Sequence, residues 1–236
     1  MRLAFGDQCS VQRRPAPAWI VKGATSIGSA ERRGGWMKRR TLLIATESYL
    51  EDRLSIADLM TGWIHRDLGE WDQLRNLFHP DATIDITWFS GKASDFVDGS
   101  MKMGASDFKA KHVITSPVVI FNGDKAIAET NAIVVADHAV LGVGCEGHAR
   151  FYDRVEKRDG VWKIVDRQAI YDACTFTFPT GFVELDKRAV QKYPREYAPL
   201  AYLLEKSGFP VNRVYPTKGS DLEKTIKANG QKWLKA

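Results

Sequence analysis

The 236-residue chain has few cysteines and no long apolar run. Its three cysteines, Cys9, Cys145 and Cys174, lack the spacing of a metal site or of a disulfide framework, and they predict a reducing, cytoplasmic location. No apolar stretch approaches the roughly 20 residues needed to cross a bilayer, so no membrane partner is expected. The sequence also lacks a phosphate-binding loop, a dinucleotide fingerprint and a nucleophile elbow. These absences argue against secreted disulfide-rich, membrane and nucleotide-dependent classes.

Positive charge is concentrated at the N-terminus. Residues 1–40 carry nine Lys or Arg and two acidic residues, a net charge of +7, which leaves −2 for the rest of a chain whose total is +5. A near-neutral body argues against a nucleic-acid partner. Residues 1–40 also lack a sustained apolar period, so we expect a disordered basic extension. Its origin has two readings: a true translation start at Met37, or an Arg-rich transit peptide.

Apolar residues at helical spacing predict a first helix over residues 48–68. Ile56, Trp63 and Ile64 define its apolar face. Asp67 follows Ile56 by eleven residues, close to three turns, and therefore lies within about 20° of it on the helix. A carboxylate on an apolar face costs several kcal/mol unless it has a partner. The pattern indicates that Asp67 has one, although a frayed, solvated helix end is the simpler alternative.

The remaining pattern predicts an α+β domain over residues 45–175. Helices come first, and the alternation that follows predicts strands at 82–88, 112–121, 124–136, 145–157 and 161–173. Residues 90–111 are expected to form a loop and a short helix. Asn122-Gly123 favours a tight hairpin turn. This order is typical of helices packed on one face of a curved, mostly antiparallel sheet. Residues 176–236 predict a helical extension that wraps the domain or covers a pocket mouth.

His112 begins one of these strands and is the natural partner for Asp67. The structural alternative is a partly exposed strand-end histidine without chemistry. If the two side chains meet, Asp67 accepts a hydrogen bond from one ring nitrogen, fixes the tautomer and stabilises the imidazolium. A neighbouring carboxylate predicts a His112 pKa above the model value of about 6.5.

Three segments carry a resemblance to a known family. "DRLSIADLMTGWIHRDLGEWDQLRNLFHPDATIDI", "KHVITSPVVIFNGDKAIAETN" and "GHARFYDRVEKRDGVWKIVDR" occur in the order and at the spacing of SnoaL-like members of the nuclear-transport-factor-2-like superfamily. The resemblance covers about residues 48–173. It implies a cone-shaped α+β barrel whose curved sheet has helices on its concave face and encloses an apolar pocket.

The chain is similar to three catalytic members in particular: scytalone dehydratase, lindane dehydrochlorinase and bile-acid 7α-dehydratase. All are lyases without a cofactor that use an Asp–His pair, so the resemblance implies a dehydratase-like elimination on a small apolar cyclic substrate. It places His112 as general base and Asp67 as its orienting partner, with Arg167 or His138 polarising a substrate oxygen. No metal-ligand cluster is expected. The expected substrate-binding walls are Trp63, Ile86, Trp88, Val134 and Phe151.

The family pattern is not followed throughout. Scytalone dehydratase has a tyrosine where this chain has Arg66, so that tyrosine's role is not transferable. An isomerase or polyketide-type cyclase with the same dyad, and a non-catalytic binding or assembly subunit, are the alternatives. A homodimer or homotrimer is expected, with His148, Arg150 and Tyr152 on the sheet face used for pairing.

Overall fold

The computed structural model describes residues 32–236, with side chains from Glu47 onward. The chain divides into two units, residues 1–46 and residues 47–236. The described part of the first unit is helical backbone that begins at Arg32. The last nine residues of the predicted disordered extension are therefore helical, which corrects the expectation for 32–40, and the rest of that extension lies outside the described residues.

Three helices precede the sheet: α1 (Arg32–Thr61), α2 (Ile64–Leu68) and α3 (Trp71–Asn76). The single helix predicted over 48–68 is wrong, because α1 ends before Gly62. Around Gly62 the backbone changes to hydrogen bonds three residues apart, such as that from the His65 N–H to the Gly62 carbonyl. This tight turn reorients α2, and Ile64, predicted on the apolar face, is half exposed.

One seven-stranded sheet forms the body of the second unit, in the order β2-β1-β7-β6-β5-β3. The seventh strand, β4, pairs with the N-terminal end of β5. Only β1 and β7 pair in parallel. The strands and the remaining helices are β1 (Phe78–Ile86), β2 (Phe89–Lys92), α4 (Ala93–Gly104), β3 (Phe108–Ile114), β4 (Val118–Asn122), β5 (Lys125–His138), β6 (Val143–Arg158), β7 (Val161–Thr177), α5 (Lys187–Val190), α6 (Ala198–Lys206) and α7 (Asp221–Lys235).

Two segments differ from the predicted strands. The expected strand 112–121 is two strands, because the chain breaks at residues 115–117, where Pro117 has no N–H to donate. Both pieces pair with β5. Residues 90–111 contain β2, all of α4 and the start of β3, which is more regular structure than the expected loop and short helix.

The sheet is curved and its concave face is covered by helices. Register shifts interrupt the pairing of β6 with β7 at His148/Ala149 and at Arg154/Val155, and such irregularities bend a strand. The main core lies on the concave side, where buried residues of α1, α4 and α6 pack against the sheet. The predicted fold class, a cone-shaped α+β barrel, is confirmed. None of the described helices is long and apolar enough to span a bilayer.

The C-terminal residues contribute to both faces of the sheet. Helix α6 buries Leu200, Leu203 and Leu204 in the main core. Helix α7 packs on the opposite, convex face, where Tyr152 and Leu234 belong to a second buried cluster. Residues 47–236 thus form one compact unit, and no separate helical domain follows the sheet.

Helix α7 covers residues that the sequence assigned to a subunit interface. Arg150 donates to Glu129 at 2.6 Å, to Glu223 of α7 at 2.7 Å and to Asp172 at 2.8 Å. Tyr152 is 3% exposed. Both side chains are therefore engaged within the chain, which corrects the expectation for this part of the sheet. His148 remains exposed, and the expected homodimer or homotrimer stays a prediction.

Candidate active site

Asp67 and His112 meet at the junction of α2 and β3. One carboxylate oxygen, Oδ1, lies 2.7 Å from His112 Nδ1, and the other, Oδ2, accepts the backbone N–H of His112 at 2.6 Å. Helix α2 ends one residue after Asp67, and Gly69 reverses the chain with a φ of 73° that favours glycine. The short helix places the carboxylate against the strand, and two hydrogen bonds hold it there.

The geometry fixes the state of the His112 ring. An ionised carboxylate only accepts hydrogen bonds, so Nδ1 carries the proton and Nε2 retains a free lone pair. Burial lowers the pKa of His112; the hydrogen bond that the ring donates to Asp67 opposes this, and the positive charges of Arg66 and Arg167 add to the lowering. The expectation that the His112 pKa lies above the usual histidine value is therefore wrong. A neutral imidazole at neutral pH is the form that can accept a proton.

A largely apolar cavity opens beside this pair. All five predicted wall residues line it: Trp63, Ile86, Trp88, Val134 and Phe151. His112 is also a wall residue. The empty space inside it is about 560 Å³, a figure that includes space open to solvent.

Alanines create much of this space. Four sheet positions facing the cavity carry a single methyl group: Ala110, Ala132, Ala149 and Ala169. Ala149 precedes Phe151 by two residues on β6, so the two side chains share one face of the strand. Aromatic rings line another part of the cavity. Trp63 stacks on Phe96 at 5.5 Å and contacts Phe151 at 5.1 Å, both measured between ring centroids. The cavity therefore suits a flat or cyclic apolar ligand.

Arg167 lies deeper than the sequence predicted. Its guanidinium is fully buried, donates to both carboxylate oxygens of Asp153 at 2.8 and 2.9 Å, and stacks under Trp63 and Phe151 at 4.6 and 4.3 Å. It is absent from the cavity wall. The expected contact between Arg167 and a substrate oxygen is therefore corrected: its position supports the aromatic floor and acts on His112 through its charge.

His138 also lies outside the cavity wall. It ends β5, pairs with Phe108 of β3, and accepts a weak hydrogen bond from the Leu141 N–H at 3.4 Å. Alternation along β5 placed it on the correct face of the sheet but gave no information on its distance along the cavity. Its expected role as a substrate-polarising group is corrected as well.

Sequence reasoning missed several polar and C-terminal wall residues. Tyr171 lines the cavity, and its hydroxyl accepts the Thr87 N–H at 3.1 Å and donates to Thr87 Oγ1 at 3.2 Å. Burial raises the pKa of Tyr171, so the hydroxyl stays protonated. Leu200 and Leu204 of α6 close one side. The alternation of β7 could have indicated Tyr171, whereas nothing local indicates where α6 docks.

Arg66 is the charged wall residue that the sequence left without a role. Its side chain is 9% exposed, and burial lowers its pKa to about 10. Nη2 donates to the sulfur of Met103 at 3.2 Å, and Nη1 lies 3.8 Å from Asp67 Oδ1, too far for a hydrogen bond. Within residues 47–236, Nε is buried and has no partner. Among the described residues no three ligand-type side chains converge as a metal site would require.

A curved sheet and helices enclose an apolar cavity lined by His112, and this architecture defines a barrel of the α+β class. The chain belongs to the SnoaL-like domain family, whose model matches residues 48–168. The family resemblance read from the sequence is thereby confirmed.

Relatives of similar length exist in fungi. The chain is 29% identical over 169 residues to Pea pathogenicity protein 2 of Fusarium vanettenii, with 67% of this chain and 72% of that protein covered. It is 30% identical over 164 residues to a PEP2-like protein of the same fungus, with 65% and 70% covered.

Solved structures share the fold at lower identity. A hexachlorocyclohexane dehydrochlorinase of type 2 matches with a TM-score of 0.52 and 18% identity, covering 60% of this chain and 99% of that chain. The type 3 enzyme from Novosphingobium barchaimii matches with a TM-score of 0.51 and 22% identity, covering 59% and 99%. These likenesses extend to the fold.

Proposed function

We propose that the protein is a cofactor-independent lyase of the dehydratase type that acts on a small apolar cyclic substrate. The observation that carries the proposal is the Asp67–His112 pair, whose histidine lines an apolar cavity. A histidine in a cavity wall whose pKa is shifted by burial and by a specific carboxylate partner is a candidate catalytic residue. The names of the two dehydrochlorinases describe an elimination too, and their likeness to this chain is one of fold.

The proposed reaction begins with proton transfer to His112. Nε2 accepts the proton on a carbon next to the substrate's carbonyl, and the released electron pair moves into that carbonyl to form an enolate. Asp67 stabilises the imidazolium that results. The enolate then reforms the carbonyl and expels the hydroxyl group on the next carbon. His112 returns its proton to this leaving group, so the products are a conjugated carbonyl compound and water.

The energetics are consistent with a dry site. A positioned acid–base group contributes about 10²–10⁴ in rate. Proximity and orientation in a closed cavity supply a further part, because the reacting carbon is held near Nε2 rather than found by diffusion. The neutral ring that burial favours is ready to act as a base at neutral pH.

The test is a set of variants assayed against a panel of cyclic β-hydroxy ketones. We expect Asp67→Asn and His112→Ala each to lower kcat by at least about 10²-fold, and the double variant to be little worse, since the two residues act as one unit. In the wild type, kcat/KM should rise with pH as His112 loses its proton, at a pKa below the usual histidine value. In Asp67→Asn the residual activity should titrate at still lower pH, because the opposing carboxylate charge is lost.

Matched controls come from the same residue types outside the cavity. His148→Ala and Asp98→Asn change an exposed histidine and an exposed aspartate, and both should retain wild-type kinetics. Mass spectrometry of the product separates the reactions: loss of one water supports a lyase, whereas an isomer of unchanged mass assigns the dyad to isomerisation or cyclisation. Near-full activity in both single variants would show that the pair is not the catalytic device.

A further inference from the structure

We propose that Arg66 binds the substrate oxygen on which negative charge develops. The cavity therefore selects cyclic carbonyl compounds whose carbonyl oxygen becomes an enolate or phenolate oxygen. This inference rests on the proposed function and names its substrate class. It makes Arg66 a catalytic residue that neither the family resemblance nor the sequence pattern indicated.

The guanidinium of Arg66 has unmet hydrogen-bonding capacity. Arg66 lines the cavity with a side chain that is 91% buried, as its exposed fraction of 9% shows. Its Nη2 contacts only a thioether sulfur, a weak acceptor, and its Nε has no acceptor in the part of the chain that the structure describes. A buried arginine with no oxygen acceptor at hydrogen-bond distance is unfavourable, and a ligand oxygen would supply one.

Asp67 is not the hydrogen-bond partner of Arg66. Both of its carboxylate oxygens already accept hydrogen bonds from His112, at 2.6 and 2.7 Å. The approach of Arg66 Nη1 to Asp67 at 3.8 Å is a loose charge contact. The positive charge of Arg66 is also unfavourable for the imidazolium, so it does not serve to hold His112 protonated.

The charge balance of the proposed reaction also calls for a cation. Before proton transfer the cavity wall holds a positive guanidinium and a neutral imidazole, and the negative carboxylate of Asp67 lies behind that imidazole. Proton transfer creates a positive imidazolium and a negative enolate. The imidazolium lies against Asp67, and the enolate needs a cation of its own, which Arg66 provides. In a site of low dielectric such pre-positioned donors stabilise the charged intermediate strongly.

A second orphan donor favours the same class of ligand. The indole Nε1 of Trp63, another wall residue, is buried without a partner among the described residues. Two donors lacking acceptors beside one cavity indicate a ligand that presents acceptor oxygen. A halogenated hydrocarbon without oxygen would leave both donors unmet, so the inference separates this site from one built for dehydrohalogenation.

The experiment measures binding of 4-nitrophenol, with nitrobenzene as the matched ligand that lacks the ionisable oxygen. The absorbance of 4-nitrophenol reports its ionisation directly. We expect the wild type to bind it as the anion, with a bound pKa below that of the free phenol. Arg66→Gln should weaken phenolate binding by about tenfold to a hundredfold, the range for a hydrogen bond to a charged group, and leave nitrobenzene binding unchanged. Arg75→Gln, outside the cavity, is the matched arginine control.

The outcomes are separable. Wild-type protein that binds the neutral phenol, or that binds neither compound, overturns the inference, and so does an Arg66→Gln variant that keeps phenolate affinity. If Arg66→Gln does not fold, as loss of nitrobenzene binding would show, Arg66→Lys carries the comparison: a retained preference for the anion supports the inference, and equal affinity for both ligands overturns it. None of these measurements needs turnover, so they stand apart from the test of the dyad.

Kinetics give a second readout once a substrate is known. Because the oxyanion exists fully only after proton transfer, Arg66→Gln should lower kcat more than it raises KM. The acid limb of kcat/KM should move to higher pH, because the variant loses a positive charge that lowers the His112 pKa. The other influences on this pKa remain: Asp67 raises it, and burial and Arg167 lower it. An unchanged acid limb with a pure KM effect would indicate a merely structural arginine.

Discussion

At the residue scale, the floor of the cavity depends on a buried ion pair. Arg167 and Asp153 are both fully buried, and the planar guanidinium supports Trp63 and Phe151 from below. Replacement of such a pair by apolar residues can be neutral, but removal of one partner leaves an uncompensated charge in the core. The pair therefore makes the floor sensitive to single substitutions.

Asp153→Ala should lower the free energy of unfolding by about 3–5 kcal/mol, because Arg167 would remain buried and unpaired. Chemical denaturation with a linear extrapolation measures this change. Asp98→Ala removes an acid from an exposed pair with Arg75, and its cost should stay below about 1 kcal/mol. Similar losses in the two variants would contradict the stated role of the buried pair.

Single residues also show what the sequence could predict. The Asp67–His112 contact was predicted because helical spacing placed a carboxylate on an apolar face, where it needs a partner, and His112 at a strand start was the candidate. Its stated basis, one continuous helix, was wrong. The family resemblance gives no depth within the fold, and it assigned Arg167 and His138 to a substrate oxygen. The sign of the His112 pKa shift depends on burial, which the sequence does not give.

At the element scale, α7 is fastened to the convex face by close packing. A Cβ built on Gly230 would lie 2.4 Å from the hydroxyl oxygen and 2.6 Å from Cε1 of Tyr152. This glycine is therefore needed for contact and not for backbone freedom. Arg150 binds Glu223 on the same helix, so one end of α7 is held by charge and the other by shape.

Gly230→Ala should lower the melting temperature, although alanine favours a helix interior by about 1 kcal/mol over glycine. The clash with Tyr152 forces the helix or the ring to move. Gly104→Ala is the control, since its Cβ would meet Trp71 at an ordinary 3.7 Å. Thermal unfolding of both variants decides: a Gly230→Ala protein as stable as the wild type would show that α7 is not closely seated.

Elements differ in how far local sequence specifies them. The turn at Asn122-Gly123 was predictable because its signal is local, and Gly123 has the expected positive φ of 59°. The docking of α6 and α7 follows from contacts between residues more than 50 positions apart, such as Leu204 on the cavity wall and Arg150 with Glu223. No local period reports such contacts, so the sequence left the role of residues 176–236 open.

At the scale of the whole molecule, the C-terminal residues are part of the compact second unit. Residues 47–236 form one compact unit, in which α6 supplies buried leucines and cavity wall and α7 covers the convex face. The family match ends at residue 168, before either helix begins. The described fold therefore needs residues beyond the matched domain.

A chain that begins at Met37 should keep the melting temperature of the full chain, whereas a chain that ends at Thr180 should not fold. The second deletion exposes the surfaces under Leu200, Leu203 and Leu204, each worth about 1.5–3 kcal/mol of burial, and domains are stable by only about 5–15 kcal/mol. Circular dichroism with thermal melting compares the three chains. A large loss in the first, or a native melt in the second, would contradict this assignment.

The second hydrogen bond of Asp67 has an evolutionary consequence. Oδ2 is held by the backbone N–H of residue 112, which every residue except proline retains. Descendants that replace His112 would therefore keep the acidic group in place at the edge of the same apolar chamber. Arg66 would still line that chamber, which would keep a fixed cation near a fixed carboxylate and lose the imidazole that accepts the proton. One substitution would thus remove the proposed catalysis and leave a cavity that can still bind the same ligand oxygen.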